Sequence, residues 1–305
     1  MRAVPPLRRF LPVIAALLLA WLACDARAAD EAAIQRGENV FNAADCVGCH
    51  TDVKGGGKRL AGGRPLATPF GTFFSPNITP DKETGIGAWS LADFERALRH
   101  GVSPEGFYYF PVFPYPSFTK LRDEDVADLY AYLMAQPPVA QRNKRHQVGL
   151  PFRWRFLQAG WRLLFFDEGR FQPIAGKDAE WNRGAYLVEA AAHCGECHTP
   201  RNLLGGLKTS RFLSGDPHGP DGQKVPNITS DPESGIGKWS VDDIVELLKS
   251  GQTPEFDFVG GGMGEVVNGT KLLSDADRRA IAVFIKSVPP ISTPKPPPGE
   301  GKKTS

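Results

Sequence analysis

The sequence is poor in cysteine and methionine and carries almost no net charge. Its 305 residues include five cysteines and three methionines, and the formal net charge is +2. The N-terminal segment supplies +3 of that charge, because Arg2, Arg8, Arg9 and Arg27 stand against only Asp25. The rest of the chain is therefore near −1. Without a concentrated basic surface, no nucleic-acid partner is predicted.

Long apolar runs and strand-like alternation are also scarce. The apolar run from Phe10 to Ala23 is short for a transmembrane helix and is soon followed by charge. No convincing run alternates between apolar and polar residues as a half-buried strand does. The predicted fold class is therefore all-α.

The apolar run belongs to an export signal. Arg8 and Arg9 precede it, and Ala26-Arg27-Ala28 follows as a small-x-small cleavage site. This is the pattern of a secretory signal peptide, so we predict that residues 1–28 are removed and that the mature protein is periplasmic. An uncleaved N-terminal anchor and a lipid-modified Cys24 are the alternatives.

Four of the five cysteines fall into two C-x-x-C-H motifs. These are Cys46-Val47-Gly48-Cys49-His50 and Cys194-Gly195-Glu196-Cys197-His198. Such a run is typical of c-type haem attachment, in which two thiols bond to the haem and the adjacent histidine ligates the iron. We predict two covalent haems c, attached at Cys46, Cys49, Cys194 and Cys197 and ligated by His50 and His198.

Other proteins also use C-x-x-C spacing. A zinc ribbon does, but its half-sites lie near each other along the chain and need no adjacent histidine. A thioredoxin-like motif would sit in a βαβ pattern, and none is visible. If the haem interpretation holds, the mature chain keeps no thiol for a disulfide.

The sequence is an internal duplication. Asn77-Ile78-Thr79 recurs as Asn227-Ile228-Thr229, and Gly85–Ser90 recurs as Gly235–Ser240. Both offsets are 150 residues, against 148 for the cysteine motifs. We predict domains at 30–141 and 177–291, a linker at 142–176 and a disordered tail at 292–305.

Each half has the pattern of three helices with the same punctuation. The helix before each cysteine motif carries an early glycine, which predicts close backbone approach to another helix. The second begins at a serine with an aspartate three residues later, and it stops at a glycine. The third ends at a proline pair. In order, these features are Gly37 and Gly184, Ser90 and Ser240, Gly101 and Gly251, and Pro137-Pro138 and Pro289-Pro290.

This arrangement resembles the class I cytochrome c fold, present twice. The repeated Asn-Ile-Thr and Gly-Ile-Gly-x-Trp-Ser runs, together with the run from Phe113 to Phe118, are similar to bacterial periplasmic dihaem cytochromes c. That family includes the cytochrome subunits of quinoprotein alcohol dehydrogenases and of flavin-dependent sugar and gluconate dehydrogenases. The resemblance implies an electron carrier without substrate chemistry of its own. It would take electrons from a periplasmic dehydrogenase or quinol oxidiser and deliver them to a terminal acceptor.

The alternative is a dihaem redox enzyme. A peroxidase-like or thiosulfate dehydrogenase-like protein would use an unusually ligated first haem for chemistry and the second for electron relay. The ligands of the two haems therefore matter to the function.

The second haem has a convincing distal ligand. Met263 lies in a glycine run between the second and third helices of its half. A class I cytochrome presents its distal methionine from this loop, and the glycines let the backbone approach the haem. We predict Met263 as the iron ligand opposite His198.

The first half has no such methionine. Shifting Met263 back by 150 to 152 residues lands on the run from Pro111 to Phe113, and Met134 is predicted to pack in the core. The haem beside His50 is therefore predicted to have a non-methionine ligand or an open position. The candidate ligands are His100, Tyr115 and Lys120.

Smaller expectations concern the surroundings of the haems. The carbonyl of Pro200 is predicted to accept the Nδ1 proton of His198. Arg201, Trp89 and Trp239 would reach haem propionates, although core packing explains the tryptophans equally well.

The stretch from 142 to 171 mixes aromatic and basic residues. We predict a connecting helix whose aromatic residues hold the two domains at a fixed distance. Contact with a membrane surface or with a partner protein is the alternative. The residues are Phe152, Trp154, Phe156, Trp161, Phe165 and Phe166 with Arg153, Arg155, Arg162 and Arg170.

Overall fold

The computed structural model describes residues 30–293. The predicted signal peptide and nearly all of the predicted tail lie outside this range. Among the described residues, no helix combines the length and the apolar character needed to cross a bilayer.

Short helices dominate both halves. In the first half α1 spans 30–43, α2 Cys46–His50, β1 Pro65–Thr68, β2 Gly71–Phe74, α3 Leu91–His100, α4 Tyr115–Phe118 and α5 Asp123–Met134. The connecting stretch holds β3 Gln147–Val148 and α6 Leu157–Phe165. The second half has α7 Ala179–Tyr186, a π-helical turn Leu187–Ala191, α8 Gly195–His198, 3-10 turns Thr209–Arg211 and Pro220–Gly222, α9 Val241–Ser250, α10 Gly261–Thr270 and α11 Asp275–Ser287.

The prediction of a wholly α-helical fold is wrong in one place. β1, β2 and β3 form a small antiparallel sheet in that order, with Pro65 paired to Phe74 and Gly71 paired to Val148. The strands have four, four and two residues. Runs this short are too brief for the alternation that reveals a strand in a sequence.

The early glycines mark two helix crossings, as predicted. A Cβ on Gly37 would overlap the carbonyl of Asp128 in α5, and a Cβ on Gly184 would overlap the carbonyl of Ala280 in α11. The arginine before each glycine makes a two-pronged ion pair across the same crossing. Arg36 bonds to both oxygens of Asp128 at 2.6 and 2.8 Å, and Arg183 bonds to both oxygens of Asp277 at 2.7 and 3.0 Å.

The predicted start and stop signals of α3 and α9 are confirmed. Ser90 with Asp93 and Ser240 with Asp243 each form a complete capping box. Gly101 and Gly251 end these helices with φ of 59° and 83°, a conformation that glycine adopts without steric cost.

One apolar core runs through both halves and includes residues from Val40 to Val288. Three contacts join α4 and the residues after it to the helices around the second cysteine motif. The Lys120 ammonium lies 2.7 Å from Glu189, the Ser117 hydroxyl donates to Glu196 at 2.8 Å, and the rings of Phe118 and His193 meet at 5.3 Å. The two halves are thus packed directly against each other.

The connecting stretch contacts both halves through α6. The Arg162 guanidinium lies 4.4 Å from the ring centre of Phe166 and donates to the carbonyl of His100. On the other side, the Trp161 indole donates to the carbonyl of Leu204 at 3.0 Å.

Candidate functional site

Both C-x-x-C-H histidines are oriented by a proline carbonyl. His50 Nδ1 lies 2.8 Å from the oxygen of Pro76, and His198 Nδ1 lies 2.9 Å from the oxygen of Pro226. A carbonyl can only accept, so Nδ1 carries the proton and Nε2 of the neutral ring has a free lone pair. Desolvation lowers the pKa of both imidazoles, which favours this neutral form. Each histidine thus has a free Nε2 lone pair that could ligate a metal.

The predicted partner of His198 was wrong. The carbonyl of Pro200 accepts the backbone N–H of Lys208 at 2.9 Å. The oxygen that orients His198 comes from Pro226, which directly precedes the second Asn-Ile-Thr run, as Pro76 precedes the first.

The Asn-Ile-Thr runs fix these prolines in place. The Asn77 side chain is buried, accepts from the backbone and hydroxyl of Thr79 at 2.9 and 2.7 Å, and donates to the carbonyl of Val139 at 2.7 Å. The corresponding bonds in the second half join Asn227 to Thr229 at 2.9 and 2.8 Å and to Ile291 at 2.8 Å. The motif therefore ties the carbonyl-bearing loop to the chain that follows the last helix of each half.

The four thiols of the cysteine motifs are free. Cys46, Cys49, Cys194 and Cys197 form no disulfide. Desolvation raises the pKa of all four, to about 12 for Cys49 and about 11 for Cys197. Between residues 30 and 293, no three His, Cys, Asp or Glu side chains gather as a metal-ion site would require. Two thiols with one adjacent imidazole fit a covalent haem, whereas the arrangement does not fit a zinc ribbon.

The two cysteine motifs lie against each other. After desolvation and Asp45, the nearness of Cys197 also raises the pKa of the Cys49 thiol. The His193 Nε2 atom donates to the carbonyl of Ala44 at 3.2 Å, which links the residues just before the two motifs. Arg64 donates to the carbonyl of Gly48 and to Glu265 of α10 at 2.5 Å. These contacts bring the segments around the two cysteine motifs together.

Asp45 is a site residue that sequence reasoning missed. It caps α2 with φ of 44°, and its carboxylate accepts the N–H of Gly48 at 3.2 Å. The pKa of Asp45 is raised to about 7, mainly by desolvation and to a smaller extent by the nearby Glu265. The bond from Gly48 and the charge of Arg64 act in the opposite direction. The only sequence signal was a capping residue directly before the first cysteine.

Met263 lies in a helix, so its predicted place in a loop was wrong. It stands in the first turn of α10 and packs, partly buried, against the core. A Cβ on Gly260 or on Gly262 would meet no other atom, whereas a Cβ on Gly261 would overlap the side chain of Gln223.

Two of the three candidate ligands of the first haem have ion-pair partners, whereas the buried hydroxyl of Tyr115 has no hydrogen-bond partner among the described residues. His100 Nδ1 lies 2.9 Å from Glu168, and Lys120 pairs with Glu189. Tyr115 is buried with its ring 5.1 Å from that of Phe166, and desolvation raises its pKa to about 12. Met134 ends α5 and packs against the core, as predicted.

The candidate propionate partners are also engaged within the chain. The Arg201 guanidinium pairs with Glu196 at 2.6 Å and donates to the carbonyl of Gly205 at 2.9 Å. Trp89 and Trp239 pack against the core.

Comparison with known proteins gives close matches over most of the chain. The cytochrome c family pattern matches residues 34–137. The "diheme cytochrome c-type" protein of Cereibacter sphaeroides is 46% identical over 265 residues, or 84% of this chain and 86% of the relative. The gluconate 2-dehydrogenase cytochrome c subunit of Pantoea cypripedii is 43% identical over 90% of this chain and 64% of its own length. One subunit of the nicotinate dehydrogenase of Pseudomonas putida is 45% identical over 84% of this chain and 21% of its own length. The chain thus spans most of the first relative and a smaller part of the other two.

Proposed function

The chain belongs to the cytochrome c family as a dihaem electron-transfer protein, and we propose that it accepts electrons from a periplasmic dehydrogenase and passes them to a terminal acceptor. The comparisons do not support the alternative of a peroxidase-like or thiosulfate dehydrogenase-like enzyme. Two haems c are its cofactors, and their iron supplies one-electron oxidation and reduction.

We assign the haems to the two cysteine motifs. Cys46 and Cys49 would hold the first haem, and Cys194 and Cys197 the second. His50 and His198 would ligate iron through Nε2, and Met263 would be the second ligand of the second haem. The observation that carries the assignment is the repeated bond from a motif histidine to a proline carbonyl, which fixes the tautomer that binds iron.

We infer a tandem pair of class I cytochrome c domains at about 30–141 and 177–291, joined by the aromatic and basic stretch 142–176. Three repeated features support this organisation: the glycine crossings, the capping boxes and the Asn-Ile-Thr bonds. The contacts between the two motifs favour electron exchange between the haems within one molecule.

The donor and the location are parts of the same proposal. Relatives named as subunits of gluconate and nicotinate dehydrogenases support a dehydrogenase as the donor. The N-terminal signal pattern supports a periplasmic location. Peripheral contact with a membrane through 142–171 fits the exposed apolar side chains of that stretch.

Haem counting tests the assignment. The protein, produced with a c-type haem maturation system, should show two haems per chain in the pyridine haemochrome assay. Cys46→Ser with Cys49→Ser, or Cys194→Ser with Cys197→Ser, should leave one. Met263→Leu should keep both haems but lose the ferric absorbance band at about 695 nm that accompanies methionine ligation.

Electron transfer is tested separately with a quinoprotein or flavin-dependent dehydrogenase and its substrate. The dehydrogenase should reduce both haems of the wild-type protein without added mediator. Fewer than two haems in the wild type, or no reduction by any such dehydrogenase, would contradict the proposal.

A further inference from the structure

The turn before Met263 has a close counterpart in the first half. Ser103 N–H donates to Phe107 at 2.8 Å, and Thr253 N–H donates to Asp257 at 2.8 Å. The next bond of the turn also recurs, since the N–H groups of Tyr109 and Val259 donate to the carbonyls of Gly101 and Gly251 at 2.7 and 2.9 Å. Every pair is 150 residues apart, so the structural correspondence holds up to Tyr109 and Val259.

Continuing at that spacing places Phe113 where the second half has Met263. Phe113 packs partly buried against the core, as Met263 does. Its ring meets those of Tyr109 at 5.7 Å and Phe118 at 5.8 Å. A phenyl ring has no lone pair to donate to iron, so this position supplies packing and no ligand.

No other methionine is placed to serve as the second ligand of the first haem. Met134 ends α5 in the core, and Met1 lies in the leader that we predict to be removed. Lys120 and His100 are paired with glutamates, as described above, and the third candidate, Tyr115, is fully buried with its ring packed against Gly101, Trp161 and Phe166.

Two further histidines are engaged in hydrogen bonds with the backbone. His146 lies between the rings of Phe73 and Phe110, and its Nδ1 accepts the N–H of Phe74 at 3.2 Å. The neutral ring therefore carries its proton on Nε2, which excludes ligation through that atom. His193 uses Nε2 to bond the carbonyl of Ala44.

We propose that the iron of the haem beside His50 has no second protein ligand. Its open position, beside Phe113, would bind a small neutral diatomic molecule, such as carbon monoxide or nitric oxide. This rests on the proposed haem at Cys46 and Cys49. The aromatic neighbours Tyr109 and Phe118 favour an uncharged ligand because they offer no counter-charge. Binding adds one bond to the ferrous iron and transfers no electron.

Carbon monoxide is the probe. The reduced two-haem protein should take up one molecule per chain, and half of its haem should show the spectral change. In the oxidised state, half of the haem should give a high-spin electron paramagnetic resonance signal. These readouts do not depend on electron-transfer activity.

Phe113→Met should convert the site. It should abolish carbon monoxide uptake and the high-spin signal, and it should roughly double the ferric band at about 695 nm. Phe113→Leu is the matched control because leucine cannot ligate iron, so this variant should still bind one molecule.

Three results would overturn the proposal: a wild-type protein that is low-spin at both haems and takes up no carbon monoxide, loss of uptake in Phe113→Leu, or unchanged uptake in a folded Phe113→Met. The haemochrome count separates these outcomes from failure of the proposed function. A count of two leaves the haem assignment intact. Absence of the first haem from the wild-type protein would contradict both the haem assignment and the proposed ligand site.

Discussion

At the scale of single residues, Asn77 and Asn227 hold the loops that orient His50 and His198, the histidines that we propose as iron ligands, without touching them. Each asparagine follows the proline whose carbonyl holds a histidine, and each is buried with its amide and carbonyl bonded. The motif was visible in the sequence as a repeat, but its role depends on partners about 60 residues away.

We expect Asn77→Ala to destabilise the fold and disturb only the first haem. Thr79 and Val139 would lose their buried partner, which costs about 1–3 kcal/mol of unfolding free energy. Urea unfolding measures this cost. The band at about 695 nm should stay unchanged, because it reports the methionine-ligated haem.

The twin variant Asn227→Ala is the control for position. It should lower the free energy of unfolding by a similar amount. Unlike Asn77→Ala, it should weaken the absorbance band at about 695 nm that accompanies methionine ligation of ferric haem. If both variants affected the band equally, the asparagines would not act on their own haem alone.

Asp45 gives a second prediction, on pH. Its pKa is raised from 3.8 to about 7, so the folded state holds this proton more tightly than the unfolded chain. Its contribution to stability is complete below about pH 4 and is lost as the pH rises towards 7, at up to about 1.4 kcal/mol per pH unit. Asp45→Asn keeps an acceptor for Gly48 and tolerates the positive φ, so we expect it to flatten this dependence.

Urea unfolding between about pH 5 and pH 7 checks the effect of Asp45. Asp81→Asn is the control, because bonds from Thr84 lower the pKa of Asp81. The stability that Asp81 provides is present above about pH 4 and lost only on further acidification, so this control should keep the wild-type slope. An Asp45→Asn protein with that same slope would contradict the prediction.

The residue scale also shows where sequence reasoning stops. The thiols and the histidine of each cysteine motif are adjacent in the chain, so the sequence predicts the haem cofactor directly. The oxygen that orients His198 is 28 residues away at Pro226, whereas the sequence predicts the nearer Pro200. A contact across a loop leaves no spacing pattern to detect.

At the scale of elements, two crossings depend on glycine. In Gly37→Ala the added methyl group would collide with the carbonyl of Asp128, so α1 and α5 must separate. We expect a loss of about 1–3 kcal/mol in the free energy of unfolding, as is typical of overpacking. Chemical denaturation of the haem-loaded protein measures it.

Gly160→Ala in α6 is the matched control. A Cβ there would meet no other atom, and alanine favours a helix over glycine by about 1 kcal/mol. This variant should be as stable as the wild type or more so. If Gly37→Ala had the same free energy of unfolding as Gly160→Ala, the α1–α5 crossing would tolerate a methyl group, which would contradict the prediction.

Elements were predictable where local signals agreed. α3 and α9 have a capping serine, an apolar stripe and a terminal glycine, and all three signals were visible in the sequence. α10 was missed because Gly261, Gly262 and Gly264 disfavour a helix. Its helical state therefore depends on tertiary packing, which spacing does not encode.

At the scale of the whole molecule, the repeated motifs are visible in the sequence, but the contacts between the two halves are not. The contacts between them use residues outside the repeated motifs, such as the pairs Lys120 with Glu189 and Arg64 with Glu265. A repeat predicts two similar units, whereas the surface each offers the other depends on where they differ.

The connecting stretch is rich in basic residues and has exposed apolar side chains. The stretch from 142 to 171 has seven basic and two acidic residues in a chain whose net charge is only +2. Leu163 and Leu164 of α6 are 87% and 66% exposed, and Leu203 is 97% exposed on the loop that α6 contacts through Trp161. Exposed apolar side chains in a basic stretch are typical of a surface that lies on anionic lipid.

We therefore expect the mature haem-loaded protein to bind vesicles with anionic lipid and to be released by salt. Leu163→Glu should weaken binding by about tenfold, since it removes one inserted side chain and adds repulsion. Leu272→Glu is the control, because Leu272 is 58% exposed but belongs to the second half, outside α6 and its loop. Vesicle sedimentation measures both variants. Equal weakening would show that charge alone drives binding, and no binding by the wild type would leave this apolar surface to a protein partner.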